Sequence, residues 1–173
     1  APASFVANAD QSSNANYFNS DLLYSDKKDY TRQSAAHPLT FEHKLSKLTY
    51  TLISGTGSPN ITGATVKWTN VCNTAAFDKT TGGVTTPSNP TIIIPHATYG
   101  AIIVPQTVGA NTQLLEVTLA DGAVLKYTPN TGQVFEGKKK YNYEITVNLS
   151  GLTVTSTITD WESVTKRTGN ATM

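Results

Sequence analysis

The chain has 173 residues, a formal net charge of +1 and charged residues at only 14% of its positions. This sparse and balanced charge provides no electrostatic basis for binding nucleic acid or an anionic membrane. No apolar run approaches the roughly 18 residues of a membrane-spanning helix. The length suits one domain that buries an apolar core of its own.

The cysteine and histidine content argues against redox and metal chemistry. Cys72 is the only cysteine, so an intrachain disulfide and a CxxC motif are both impossible. The three histidines, His37, His43 and His96, lack the i, i+4 spacing of a helical zinc site. We therefore expect no metal and no cofactor, and we expect Cys72 to be a small buried hydrophobe.

The first 38 residues differ in composition from the rest of the chain. Residues 7–20 are small and polar without a sustained period, and residues 25–38 are charged and loop-like. The short apolar group formed by Leu22, Leu23 and Tyr24 separates them. We expect residues 1–38 to form an N-terminal arm or interdomain segment beside a β domain that spans residues 39–173.

Beyond this arm the chain alternates apolar and polar residues as β-strands do. The apolar parity of residues 41–45 is opposite to that of residues 48–52, which predicts a β-bulge near Ser46 within one long strand. His43 lies on the apolar parity and is predicted to be a hydrogen-bonded core imidazole. Residues 80–89 contain two glycines and a proline and are predicted to form a loop.

The strand pattern is clearest in the second half of the chain. Residues 115–119 alternate, and Asp121-Gly122 supplies a hairpin turn after them. Residues 141–149 alternate again, and apolar residues between 152 and 158 occupy even positions opposite the row of Thr153, Thr155, Thr157 and Thr159. Many short strands separated by glycine and proline turns predict an all-β sandwich.

Motifs for catalysis are weak or incomplete. Residues 132–138 match the first seven positions of a P-loop, but Lys139 replaces the Ser or Thr that would reach magnesium, and a strand follows in place of a helix. No Gly-x-Ser-x-Gly elbow occurs. Glu144 lies on the polar parity of its strand without a predicted carboxylate partner. We therefore predict that the protein is not an enzyme.

Four segments carry a family resemblance. They are residues 20–24 (SDLLY), 39–48 (LTFEHKLSKL), 103–107 (IVPQT) and 135–147 (FEGKKKYNYEITV), the last followed by residues 158–161 (ITDW). In this order and spacing they resemble the fimbrillin-like pilin family of Bacteroidales, whose members are major and minor fimbrial subunit proteins. The resemblance extends from about Asp10 to Trp161.

The resemblance implies a transthyretin-like Greek-key β-sandwich without catalytic residues. Members of the family are typically exported as lipoproteins and displayed in fimbriae, or pili, on the outer membrane. A protease that cuts after Arg or Lys removes an N-terminal strand, and the opened groove accepts a strand from the next subunit. The resemblance therefore implies a cell-surface location and other pilin subunits as partners, with host glycans or proteins as further candidates.

Two features of this chain bear on that mechanism. Full-length members usually carry another β domain before the segment that matches residues 20–24, whereas only about 20 residues precede it here. We therefore expect the chain to correspond to a C-terminal domain or a trimmed fragment. Arg32 lies in an exposed-looking stretch and is the candidate processing site, with an ordinary loop arginine as the alternative.

The last residues, 162–173, form a predicted tail without a strong apolar pattern. Extended at about 3.3 Å per residue the tail would reach roughly 40 Å, long enough to line a groove on another subunit. The candidate strand-exchange residues are Glu162, Val164, Thr165 and Met173, and a frayed C-terminus is the alternative. Residues 145–159 carry no charged side chain, although edge strands usually carry lysines, prolines or inward charges.

Together these patterns predict a structural or adhesive fimbrial subunit that assembles by β-strand addition between protomers. The alternative, from a different class of function, is a surface-exposed carbohydrate-binding β-sandwich module. Its candidate aromatic platform consists of Trp161 and Tyr99.

Overall fold

The computed structural model describes residues 3–25 and 39–161, which contain thirteen β-strands and one short helix. The strands are β1 (Ala3–Val6), β2 (Leu23–Tyr24), β3 (Glu42–His43), β4 (Ser46–Ser54), β5 (Thr65–Asp78), β6 (Gly83–Ile93), β7 (Ala101–Ile103), β8 (Gln106–Val108), β9 (Leu115–Thr118), β10 (Val124–Tyr127), β11 (Gln133–Phe135), β12 (Lys139–Asn148) and β13 (Gly151–Asp160). The helix α1 spans Asn14–Asn19 and lies between β1 and β2 in the chain. The predicted all-β class is confirmed.

Two larger sheets face each other across the core. The first sheet has the order β1-β5-β9-β10, and β6 also pairs with β5. The second has the order β13-β12-β4-β7, in which β12 is antiparallel to β13 but parallel to β4. The rings of Trp68 from the first sheet and Tyr143 from the second lie 4.8 Å apart. The predicted sandwich is therefore confirmed.

The alternation of residues along the strands explains what the core contains. Strand β12 turns four side chains inward, those of Tyr141, Tyr143, Ile145 and Val147. Glu144 lies on the opposite parity and is exposed. Trp68 has no exposed surface. Burying a large apolar side chain contributes roughly 1.5–3 kcal/mol, so these inward rows hold the two sheets together.

The bulge predicted near Ser46 is wrong. Strand β3 ends at His43 and pairs with β2, whereas β4 begins at Ser46 and pairs with β7 and β12. The chain leaves one sheet and enters another over Lys44 and Leu45, and the change of parity marks this passage. His43 is nonetheless buried and bonded to the Asp21 carboxylate, as predicted for a core imidazole.

The loop predicted at residues 80–89 is also wrong, because β6 begins at Gly83 and pairs with β5. The pairing is irregular and contains two register shifts. Thr86 and Asn89 have positive φ angles of 53° and 59°. Pro87 and Pro90 lack an N–H, and prolines occur in sheets mainly on edge strands, where one side needs no partner.

The N-terminal segment contributes to both sheets. Strand β1 pairs with the second half of β5, and Ala7 continues this pairing by donating its N–H to the Asn73 carbonyl. Gln11 and Ser20 have no exposed surface although both are polar. Residues 3–25 therefore supply strand pairing and buried hydrogen bonds to the β domain.

Candidate functional site

Strand β13 forms one edge of the second sheet and pairs with β12 along all ten of its residues. The Trp161 N–H continues this ladder by donating to the Lys138 carbonyl at 2.8 Å. Because backbone groups alternate in direction along a strand, the odd-numbered residues of β13 bond to β12. The N–H and C=O groups of the even-numbered residues therefore face away from β12. These residues are Leu152, Val154, Ser156, Ile158 and Asp160.

Among the residues that the structure describes, no strand pairs with this outer side of β13, which we call the free edge. Strand β13 contains no lysine, proline or register shift. Two other edge strands are protected: β6 carries two prolines, and β10 has four residues including Lys126. Natural edge strands avoid unwanted pairing by these means. The free edge is therefore an unprotected pairing surface and the main candidate functional site.

Both faces of β13 are exposed in its second half. The outward row contains Thr153, Thr155, Thr157 and Thr159, all of them exposed. On the other face Leu152 and Val154 pack against the core, whereas Ile158 is 60% exposed. Neutral hydroxyls cost less to desolvate than charges do. A strand that added here would meet no charged side chain before Asp160.

The opposite edge of the same sheet is closed by a side chain. The Gln11 amide donates from Nε2 to the Ile102 carbonyl of β7 at 2.7 Å, and its Oε1 accepts from the Ile102 N–H at 2.8 Å. Nε2 also donates to the Asn8 carbonyl at 2.9 Å. Gln11 has no exposed surface. One glutamine therefore takes the place of a neighbouring strand at β7.

The end of β13 is anchored by an aromatic stack. The Trp161 ring lies on the His43 ring with centroids 3.8 Å apart and planes 8° apart. His43 Nδ1 lies 2.9 Å from Asp21 Oδ1. Lys47 Nζ lies 5.7 Å from the centroid of the Trp161 ring. Trp161 thus caps this end of the sandwich, and its ring is engaged within the protein.

A shallow pocket of about 170 Å³ lies beside this stack and is lined by Glu42, His43, Lys138, Asp160 and Trp161. Lys138 Nζ contacts Glu42 Oε2 at 2.6 Å, and Lys139 Nζ contacts Asp160 Oδ1 at 2.6 Å. The hydrogen bond from Lys138, together with that from Lys44, holds the pKa of Glu42 below its usual range. The carboxylates of this pocket are therefore engaged in ion pairs, which argues against a role in acid–base catalysis.

The sequence-predicted site residues fall partly outside the described residues. The tail residues Glu162, Val164, Thr165 and Met173 and the candidate processing site Arg32 all lie there. Of the predicted aromatic platform, the structure places Trp161 against His43 and Tyr99 against His96. The two rings belong to different aromatic clusters, and Tyr99 is 36% exposed.

Residues 3–25 and 39–161 contain no group of three or more His, Cys, Asp or Glu residues that could hold a metal ion. No helix within them is long and apolar enough to cross a membrane. Cys72 is half-buried, and burial raises the pKa of its thiol, so this side chain is not activated as a nucleophile.

Gln11 was missed by sequence reasoning, although it closes a sheet edge. It lies in a polar segment without periodicity, where glutamine is ordinarily a solvated residue. Its partner Ile102 lies 91 positions further along the chain. No local pattern could have indicated this contact, because the approach of the two segments depends on the packing of β4, β7 and α1.

Comparisons with known proteins identify the family. The family model described as fimbrillin-like matches residues 2–161. The chain therefore belongs to the fimbrillin-like family, and the resemblance found in the sequence motifs is confirmed. No curated protein matches the chain.

Solved structures that match the chain come from Bacteroides and Porphyromonas species. A candidate cell adhesion protein from Bacteroides uniformis is 27% identical with a TM-score of 0.61, and the match covers 72% of this chain and 53% of that one. One from Bacteroides ovatus is 23% identical with a TM-score of 0.47, covering 72% and 48%. The tip fimbrial protein Mfa3 from Porphyromonas gingivalis is 10% identical with a TM-score of 0.47, covering 70% and 52%. The match thus spans about half the length of each of these proteins.

Proposed function

We propose that the protein is a structural or adhesive subunit of a cell-surface fimbrium and that it joins a neighbouring subunit by β-strand addition at the free edge of β13. Membership of the fimbrillin-like family supports the class of function. The row of backbone groups on the even-numbered residues of β13 is the observation that carries the mode of assembly. Each hydrogen bond that an added strand forms there contributes about 0.5–1.5 kcal/mol net.

The chemistry of the edge favours an uncharged or weakly charged added strand. Over Gly151–Thr159 neither face of β13 offers an ion-pair partner, so specificity depends on backbone bonds and on alternate side chains that fit around Ile158. The tail residues 162–173 of another copy are a candidate donor. Export as a lipoprotein, display on the outer membrane and cleavage after Arg32 belong to the same proposal and rest on the family resemblance.

A non-enzymatic role follows from the proposed function. The family is one of fimbrial structural proteins, and the carboxylates beside Trp161 are ion-paired. A carbohydrate-binding role remains the second candidate, favoured by the rings around Tyr99.

The test is an assembly assay with two variants of β13. Ser156→Pro removes an N–H from the free edge, whereas Thr157→Ala changes the outward face and leaves every backbone donor in place. Wild-type protein, or one of the two variants, is mixed with the full-length subunit. Complexes are measured by light scattering after size exclusion, and fibres are measured by electron microscopy. We expect assembly by the wild type and by Thr157→Ala, and its loss in Ser156→Pro.

Two results would contradict the proposal. If wild-type protein forms neither complex nor fibre with the full-length subunit, strand addition is wrong. If Ser156→Pro assembles as the wild type does, the free edge of β13 is not the contact. A synthetic peptide of residues 162–173, added to the same mixture, tests the tail separately: competition supports it as the donor, and no effect assigns the donor to another segment.

A further inference from the structure

A second exposed feature is a cluster of four rings, which we call the aromatic patch. It consists of Tyr17 and Phe18 from α1 and His96 and Tyr99 from the turn before β7. Tyr17 is 4% exposed and forms the floor, whereas Phe18 is 57% and Tyr99 36% exposed. Exposed aromatic rings side by side mark a binding surface more strongly than single apolar residues do.

The rings of the patch support one another. Tyr99 stacks on His96 with centroids 4.5 Å apart, and Phe18 lies 5.5 Å from Tyr99 at an angle of 45°. Tyr17 packs under both, 5.3 Å from Tyr99 and 5.5 Å from Phe18. Since aromatic neighbours already hold each exposed ring in place, the protein loses little side-chain entropy when a ligand binds to it.

The backbone beneath the patch is also held in place. His96 and Gly100 exchange two backbone hydrogen bonds, and His96 Nδ1 accepts from the N–H groups of Thr98 and Tyr99. Gly100 has a φ of +83°, and a Cβ there would lie 2.0 Å from the Leu48 carbonyl oxygen. The turn therefore packs closely against β4, and only glycine fits at position 100.

The helix that carries Phe18 is tied down at both ends. Ser13 caps its start by accepting from the Asn16 N–H. After its last residue the buried Ser20 hydroxyl donates to the Asn16 carbonyl and accepts from the Asn8 N–H. Six residues would not remain helical on their own, so these bonds fix the position of the Phe18 ring.

The two segments that carry the exposed rings are uncharged, and one cation lies near the floor of the patch, where Lys47 Nζ is 5.7 Å from the centroid of the Tyr17 ring. The chain carries no Asp, Glu, Lys or Arg between residues 11 and 20 or between residues 80 and 115, the two segments that build the patch. Asn14 lies one turn before Phe18 on the same side of α1, and Asn14, Asn19 and Thr98 are exposed. Amides and hydroxyls beside apolar rings suit a ligand that has both apolar C–H faces and uncharged hydroxyls.

We propose that the aromatic patch binds a neutral carbohydrate, with sugar rings stacked on Phe18 and Tyr99 and their hydroxyls bonded to the surrounding amides. The two segments that carry the exposed rings supply no cation, and Lys47 lies over the buried Tyr17 ring, so the patch favours neutral over anionic ligands. A stable protein–protein interface buries about 800 Å² of surface on each partner. The aromatic patch offers two exposed rings, one on a six-residue helix and one on a short turn, and this is a surface the size of one or two sugar rings. The proposal does not depend on strand addition, because the patch and β13 share no residue.

The test is binding of the folded protein to an array of neutral and sialylated glycans, followed by titration with the neutral glycan that gives the strongest signal. We expect Phe18→Ala and Tyr99→Ala each to weaken binding by about two- to tenfold, the size of one lost aromatic contact. Val134→Ala is the matched control, because Val134 is also 57% exposed and lies outside the patch. It should bind as the wild type does.

A third substitution separates ring stacking from apolar contact. Phe18→Leu keeps an apolar side chain but removes the ring, so it should weaken binding nearly as much as Phe18→Ala does. Full binding by Phe18→Leu, binding confined to sialylated glycans, or no binding on the array would each overturn the proposal. Fibre assembly by Phe18→Ala and glycan binding by Ser156→Pro should both be unchanged, which distinguishes failure of this site from failure of the proposed assembly edge.

Discussion

The two edges of the second sheet differ in the partners of their backbone N–H and C=O groups. At β7 the buried Gln11 amide pairs with both backbone groups of Ile102. At β13 the backbone groups of alternate residues face away from the sheet, and no described strand pairs with them. One edge is thus satisfied from within the chain, and the other is open to an added strand.

The difference follows from burial. Strand β7 is completely buried, and an unpaired backbone group there would lose its hydrogen bond to water without replacement. Residues 155–160 of β13 are exposed on both faces, so water can bond to the backbone groups of their free edge.

The largest expected effect is at the closed edge. Gln11→Leu leaves the N–H and C=O of Ile102 unpaired within the core, at about 1–3 kcal/mol for each group. We therefore expect the free energy of unfolding to fall by roughly 2–5 kcal/mol in urea titrations. Gln133→Leu is the matched control, because within the described part of the chain the Gln133 amide bonds to its neighbours Thr131 and Gly132 and to no distant segment. Equal midpoints for the two variants would show that Gln11 does not close the edge.

A proline scan tests the direction of the backbone groups in β13. Thr155→Pro removes an N–H that bonds to β12, and we expect a loss of about 1–3 kcal/mol in the free energy of unfolding. Ser156→Pro removes an N–H that faces water, and we expect a loss of less than about 1 kcal/mol. If the order of the two losses is reversed in urea titrations, the assigned free edge is wrong.

A smaller effect is expected at the anchor of β13. Trp161→Ala removes the stack on His43, worth about 0.5–1.5 kcal/mol beyond the buried area, and the end of the strand should fray. Amide hydrogen exchange should accelerate at Thr157 and Thr159 and remain unchanged at Thr153, near the turn. Trp161→Phe keeps a stacked ring and should restore most of the protection. Uniform acceleration along β13 would contradict a local anchor.

The smallest expected effect is the pH dependence from the ion pairs at the same end. Lysine hydrogen bonds lower the pKa values of Glu42 and Asp160. This stabilisation is therefore complete above the unfolded carboxyl pKa of about 4 and is lost as the pH falls through the lower folded values. Both pairs are largely exposed, so the loss should be small and should vanish at about 1 M salt. The loss of stability is measured from the urea midpoints of wild type and Glu42→Gln between pH 6 and 3, at low and high salt. A loss that salt does not affect would contradict an origin in these ion pairs.

Local patterns predicted those parts of the fold in which one face of a strand is buried. The inward row of β12 follows from simple alternation, because burial of one face imposes a period of two. The hairpin turn at Asp121-Gly122 was likewise predictable, and Gly122 adopts a φ of +90° there.

Local patterns failed where long-range pairing overrides propensity. Strand β6 contains Pro87 and Pro90, which argue for a loop, yet β5 supplies a partner along most of its length. Opposite Pro90, the Gln106 side chain donates to the Cys72 carbonyl and accepts from the Cys72 N–H. A side chain from a distant strand thus bonds the backbone of a residue whose strand partner is a proline, and nothing near Pro90 in the sequence indicates it.

The sequence by itself determined the all-β class, the buried row of β12, the absence of charged side chains from residues 145–159 and the family. Each of these depends on composition or on a short period, which the chain order alone contains. The tertiary structure decided which edge is closed and which is open, and it gathered Tyr17, Phe18, His96 and Tyr99 into one patch. Those outcomes depend on contacts between segments about 80–90 positions apart, and only the packing of the two sheets brings such segments together.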